Sequence, residues 1–156
     1  MDRGTVLGYA QCVKPGALRH RVSRTSKADE SVAALEWLRD SVASLLRTLG
    51  DEARLVDRDE TMTWEERVQE AFSMGRFATA LRWVLTLAPE RPSASTTRRS
   101  RARALRDYRA TVAGLWAVER ACLDALTASS ASDRRAARRV MDGVAPLLDR
   151  AGRPAV

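Results

Sequence analysis

Leu35-Glu36-Trp37-Leu38-Arg39-Asp40-Ser41-Val42-Ala43-Ser44-Leu45-Leu46-Arg47-Thr48-Leu49 carries leucine or valine at positions 35, 38, 42, 45 and 49. Steps of three and four place those five side chains on one face of an α-helix, with the charged residues turned away. The pattern predicts a helix from about Lys27 to Leu49, with Ser26 as N-cap and Gly50 just past its end.

The same reading extends through the chain. Thr63 followed by Glu66 is a capping box, and Val68, Ala71, Ala78, Leu81, Leu85 and Ala88 form an apolar face. A second helix is therefore expected from about Trp64 to Ala88, ended by Pro89 and Pro92. A third is expected over roughly residues 96–127, with Leu105, Tyr108, Val112, Leu115, Cys122 and Leu126 buried and Glu119 interrupting the stripe. Ser129, Ser130 and Ser132 break the chain. A fourth helix follows from Asp133 to about Arg150, with Ala137, Val140, Val144 and Leu148 inward and a kink or split at Gly143 and Pro146. Nothing alternates with period two, so no sheet is expected. The fold class is all-α, a bundle of four main helices. Residues 1–26 read as an irregular basic N-terminal arm, and 27–156 as the bundle domain. Trp37, Trp64, Trp83 and Trp116 are expected to anchor the core, the alternative being an exposed aromatic patch for a partner.

The chain has 156 residues, enough to bury a core without a disulfide or metal staple. Its two cysteines, Cys12 and Cys122, form no ligand or disulfide pattern and read as free thiols. Asn and Ile are absent and Lys occurs only at 14 and 27, a bias expected of a high-GC genome. Abundant arginine is therefore no evidence of nucleic-acid binding, but its distribution is informative. Residues 1–27 hold six bases and one acid, residues 28–92 eight and thirteen, and residues 93–156 thirteen and six. Genome bias raises arginine everywhere and does not sort it.

In the third helix Arg99, Arg103 and Arg106 fall within ~60° of one another, opposite the apolar stripe, and Arg109 widens the cluster. Arg135, Arg138 and Arg139 stand away from the apolar face of the fourth, and Arg19, Arg21 and Arg24 lie in the arm. Two basic stripes beside a basic arm are the electrostatic footprint of a phosphate-backbone binder. The dense acids between Asp51 and Glu70 offer a complementary surface to a second copy. The leading expectation is a self-assembling, nucleic-acid-binding subunit of the viral coat or nucleoprotein kind, located in cytoplasm or virion. Its expected partners are nucleic acid and copies of itself.

Chemistry is sparse. The one histidine, His20, lies eight residues from Cys12, with no third group to orient the pair. Asp57-Arg58-Asp59-Glu60-Thr61 resembles the D-x-D-x-T nucleophile motif of haloacid-dehalogenase phosphatases, but that motif follows a buried strand and here helices flank it. Read as an EF-hand from Asp57, the loop has Met62 at the glycine position and Val68 at the final glutamate. No glycine-rich phosphate loop or zinc motif occurs. The chain is expected to be no enzyme and to take no cofactor, metal or small-molecule substrate. No signal peptide or run of ~20 apolar residues is seen, so secretion and membrane insertion are not expected.

Two other functions fit the pattern. One is a helical interaction module or regulator with an apolar groove. The other follows from Ala71 and Gly75, which are similar in spacing to the alanine and glycine of helix-turn-helix repressors, with Leu81 and Val84 at core positions. That resemblance implies DNA binding through residues 70–85. Against it, Arg76 stands where an apolar residue is usual, and Phe77–Leu85 has only Arg82 to offer base edges. The competing reading is one continuous helix with Gly75 at a close helix contact.

Overall fold

The computed structural model describes residues 16–90 and 97–152, with side chains described from residue 30 onward. Among the described residues four helices form: α1 (Gly16–Asp57), α2 (Trp64–Thr86), α3 (Arg98–Ala125) and α4 (Ala131–Ala151). The all-α four-helix bundle is the architecture expected of four successive amphipathic segments.

The starts of α2, α3 and α4 are set by side-chain caps. At α2 the Glu66 amide donates to Thr63 Oγ1 at 3.2 Å, and Glu66 Oε2 accepts from the Thr63 amide at 2.8 Å. Thr97 and Ser130 accept in the same way from the amides of Ser100 and Asp133. Each cap satisfies an amide that the helix itself leaves without a partner.

The first helix differs from its expected bounds at both ends. It begins at Gly16, so residues 16–26 are helical rather than irregular, and it runs through Gly50 to Asp57. Gly50 lies inside the helix because Val56, 2 % exposed, carries the buried face of Leu35, Leu38, Val42, Leu45 and Leu49 two turns further. Residues 1–15 of the expected arm lie outside the described residues. The last helix passes unbroken through Gly143 and Pro146. Pro146 is exposed, as is Asp142, whose carbonyl loses its helical donor, so water can replace that bond.

Around the bundle the order is α1, α2, α4, α3. Leu35, Ala88 and Ala104 share a small cluster, Arg150 lies 4.4 Å over the Trp37 ring, and the Tyr108 hydroxyl donates to the Ala151 carbonyl at 3.2 Å. These contacts bring the end of α2 and the end of α4 beside the early described part of α1 and the first half of α3. Consecutive helices are therefore antiparallel, and α1 and α4 face across one diagonal, α2 and α3 across the other.

Both diagonals close over a glycine. A Cβ on Gly143 of α4 would lie 2.1 Å from Leu45 Cδ1 of α1. A Cβ on Gly114 of α3 would lie 3.0 Å from Val84 Cγ2 of α2. The core between them is filled by Leu38, Val42, Met74, Leu81, Leu115, Val140 and Leu148 among others. Gly75, by contrast, has nothing within 4 Å of a built Cβ, so it makes no close helix contact.

Gly143→Ala is expected to destabilise the fold by about 1–3 kcal/mol, because the side chain of Leu45 must leave its packed position. Gly50→Ala, in an open mid-helix site, is expected to raise stability by up to about 1 kcal/mol. Urea unfolding followed by circular dichroism checks both signs.

Candidate functional site

The expected basic residues fall into three environments. Arg99, Arg103, Arg106 and Arg109 are exposed on the first three turns of α3, with Arg98 beside them. Among the described residues no carboxylate lies within salt-bridge distance of Arg98, Arg99, Arg103 or Arg109, and Arg106 approaches only the adjacent Asp107, at 3.7 Å. There is no acid in the first turn of α3, where Arg98 and Arg99 sit at the positive end of the helix dipole. The arrangement concentrates positive charge on the exposed side of the first three turns of α3.

Arg135 and Arg139 are placed differently. Glu70, fully buried on α2, accepts from Arg135 Nε at 2.7 Å and from Arg139 Nε at 3.0 Å. Arg139 Nη1 also lies 3.8 Å from Glu52 Oε2. Their guanidiniums hold α2 to α4 from within the chain. A buried carboxylate must be paired, and two partly exposed guanidiniums do this while remaining in touch with water. Arg138 is exposed on α4 and lies toward the opposite end of the bundle from the start of α3. Arg19, Arg21 and Arg24 belong to the first turns of α1, of which only the backbone is described. Because α1 and α3 are parallel neighbours, those turns rise from the same end of the bundle as Arg98 and Arg99.

The Glu70 pairing continues along the α2–α4 seam. Asp133 accepts from Gln69 at 3.1 Å and from the Ser73 hydroxyl, and Ser132 donates to the Glu66 carbonyl at 3.2 Å. The Ser73 hydroxyl, then Gln69, hold the Asp133 carboxyl below the ordinary aspartate range.

The loop with the D-x-D-x-T spacing begins at the last residue of α1. Asp59 accepts from the amide and hydroxyl of Thr61 at 2.9 and 2.6 Å, which closes a turn and holds its carboxyl below the ordinary range. Cys122 is buried among core side chains, and burial followed by the nearby Glu119 pushes its thiol up to about 12. Among the described residues no group of three or more His, Cys, Asp and Glu is placed to hold a metal, and no helix is long and apolar enough to cross a membrane.

Two of the four tryptophans lie in an exposed aromatic patch rather than in the core. Trp64, Phe72 and Trp83 are 69, 63 and 59 % exposed, and Val68 is 47 % exposed. Only Trp37 and Trp116 pack against the core. The buried face of α2 is Glu70, Ser73, Met74, Phe77, Leu81 and Val84, so Val68 belongs to the outer face rather than the inner one. A signal was present: 64, 68 and 72 recur every four residues on the side opposite Met74, Phe77 and Leu81. The apolar surface is the outer face of a helix, not a groove. Residues 70–85 form one continuous helix without the turn that a helix-turn-helix needs at Gly75.

No protein-family model, no curated protein and no solved structure matches the chain.

Two outcomes follow from this partition. Replacing both Arg135 and Arg139 with methionine is expected to cost roughly 3 kcal/mol of stability, since Glu70 is left buried without a partner. Asp133, whose carboxyl is depressed in the folded state, contributes stability that is present above the ordinary aspartate pKa and lost as pH falls through the lowered value. The stability of Asp133→Asn is therefore expected to vary less with pH than the parent's below about pH 4. Thermal melts across an acid series read this directly.

Proposed function

We propose that the protein is a non-enzymatic helical module that binds the phosphate backbone of nucleic acid through the first three turns of α3. The observation that carries the reading is the exposed set Arg98, Arg99, Arg103, Arg106 and Arg109, which among the described residues meets a carboxylate only in the 3.7 Å approach of Asp107 to Arg106. Arginines crowded against a helix N-terminus reduce helix stability, and a bound phosphate reverses that penalty. The first turns of α1, whose sequence includes Arg19, Arg21 and Arg24, lie toward the same end of the bundle. Arg138 is a peripheral contributor, and Arg135 and Arg139 drop out as primary contacts because Glu70 occupies them.

Contacts of this kind position a backbone and read no base sequence. A coat or nucleoprotein subunit is the biological role that suits such a surface.

Arg99→Gln, Arg103→Gln and Arg106→Gln combined are expected to leave the fold intact. They are expected to make log K against log salt shallower by roughly 2–3 for duplex DNA or single-stranded RNA. Fluorescence anisotropy across a salt series measures it. No binding of either probe at low salt, or an unchanged slope in the triple variant, overturns the reading.

A further inference from the structure

We propose that α2 is a homodimer interface, in which two copies pack antiparallel about a two-fold axis near the midpoint between Ser73 and Met74. The inference is independent of the nucleic-acid reading and rests on the outer face of α2.

That face carries Trp64, Val68, Phe72, Gly75, Thr79 and Trp83, all exposed. At 100° per residue they span about 100° of arc, centred opposite the buried face. They form two adjacent rows with steps of four, 64-68-72 and 75-79-83. For all six positions to reach the partner helix, the two helices must cross at a shallow angle, about 20° as in helical bundles.

The register is self-complementary. With the axis between residues 73 and 74, residue i of one copy lies level with residue 147 minus i of the other. Phe72 then lies level with the partner copy's glycine at 75, Val68 with its threonine at 79, and Trp64 with its tryptophan at 83. Gly75, one turn from Phe72 on the same face, has open space around it within its own chain. The spacing thus places a position without a Cβ beside the crossing point, where helix axes must approach most closely.

Charge selects the antiparallel arrangement. The stripe begins beside Glu65 and Glu66 and ends beside Arg82. Antiparallel packing brings Glu65 level with Arg82, whereas parallel packing sets like charges against each other. Helix dipoles oppose favourably in the same orientation.

The area suffices. An aromatic side chain presents ~150–250 Å², so three at about 60–70 % exposure, with Val68, offer roughly 500 Å² per copy. The pair buries about 1,000 Å², the lower bound for a specific interface, and a micromolar dimer is expected. Because α2 and α3 face across the bundle diagonal, this dimer turns its two α3 faces outward.

The test uses the full chain without nucleic acid. Sedimentation equilibrium across the micromolar range is expected to show a monomer–dimer equilibrium. Phe72→Glu is expected to weaken it by ~10-fold or more, with helix content and unfolding unchanged. Gly75→Leu is expected to weaken it comparably, although its own chain leaves room for the side chain. In a Cys12→Ser background, Val68→Cys with Thr79→Cys is expected to give a disulfide-linked dimer under mild oxidation, and Val68→Cys alone is not. A monomer throughout the range overturns the proposal. So does a dimer indifferent to Phe72→Glu and Gly75→Leu, or efficient cross-linking of Val68→Cys alone, which requires parallel helices.

Discussion

Glu70 fixes how the four helices are arranged. A carboxylate with no exposure has to be met by donors at fixed places, and only Arg135 and Arg139, one turn apart on α4, supply them. Two guanidiniums on one carboxylate define both the distance between α2 and α4 and their sliding register. Ser73, Gln69 and Asp133 then fall into place one turn along. Apolar packing alone tolerates a helix shifted by a turn far more readily than a buried ion pair does. The polar seam therefore contributes specificity more than net stability.

The glycines complete that arrangement across the diagonals. In a four-helix bundle the diagonal pairs stand apart unless something small lies between them. Gly143 admits Leu45, and Gly114 admits Val84 and Leu87, so side chains from the opposite helix reach through the centre. Leu38, Leu81, Leu115 and Leu148 are fully buried in the resulting core.

The fold was legible where one apolar face dominated. Leu35 to Leu49 on α1, and Ala137, Val140, Val144 and Leu148 on α4, are buried as their spacing required. The Thr63–Glu66 box marked the start of α2. Reading failed on α2 itself, because apolar residues occupy two opposite faces while Glu70 and Ser73 sit in the inner one. With both faces apolar, periodicity no longer distinguishes core from surface, and Val68 was assigned inward. The polar members of the seam could not be found from spacing at all, since Glu70 gains its partners from a helix sixty-five residues away. Arg135 and Arg139 looked like surface for the same reason: a base off the apolar stripe is solvated unless a buried acid faces it, and sequence does not show facing. Gly50 misled as a helix terminator because the buried stripe resumes beyond it at Val56.

The distribution of arginine follows from these constraints. The middle of the chain is acidic, and the acids of α1 and α2 cluster at one end of the bundle. The start of α4 packs against that end, and its Arg135 and Arg139 neutralise Glu70 and approach Glu52. The start of α3 lies at the other end, where, among the described residues, no carboxylate comes within salt-bridge distance of Arg98, Arg99, Arg103 or Arg109. The same residue type is thus an ion-pair partner in α4 and, at the start of α3, exposed with no carboxylate within salt-bridge distance of Arg98 or Arg99 among the described residues. On α2, aromatic side chains that could have filled a core lie in water on a face that matches itself in reverse. One surface is basic and the other apolar, and they point away from each other. A pair of copies joined at α2 therefore covers the apolar face without hiding the basic one.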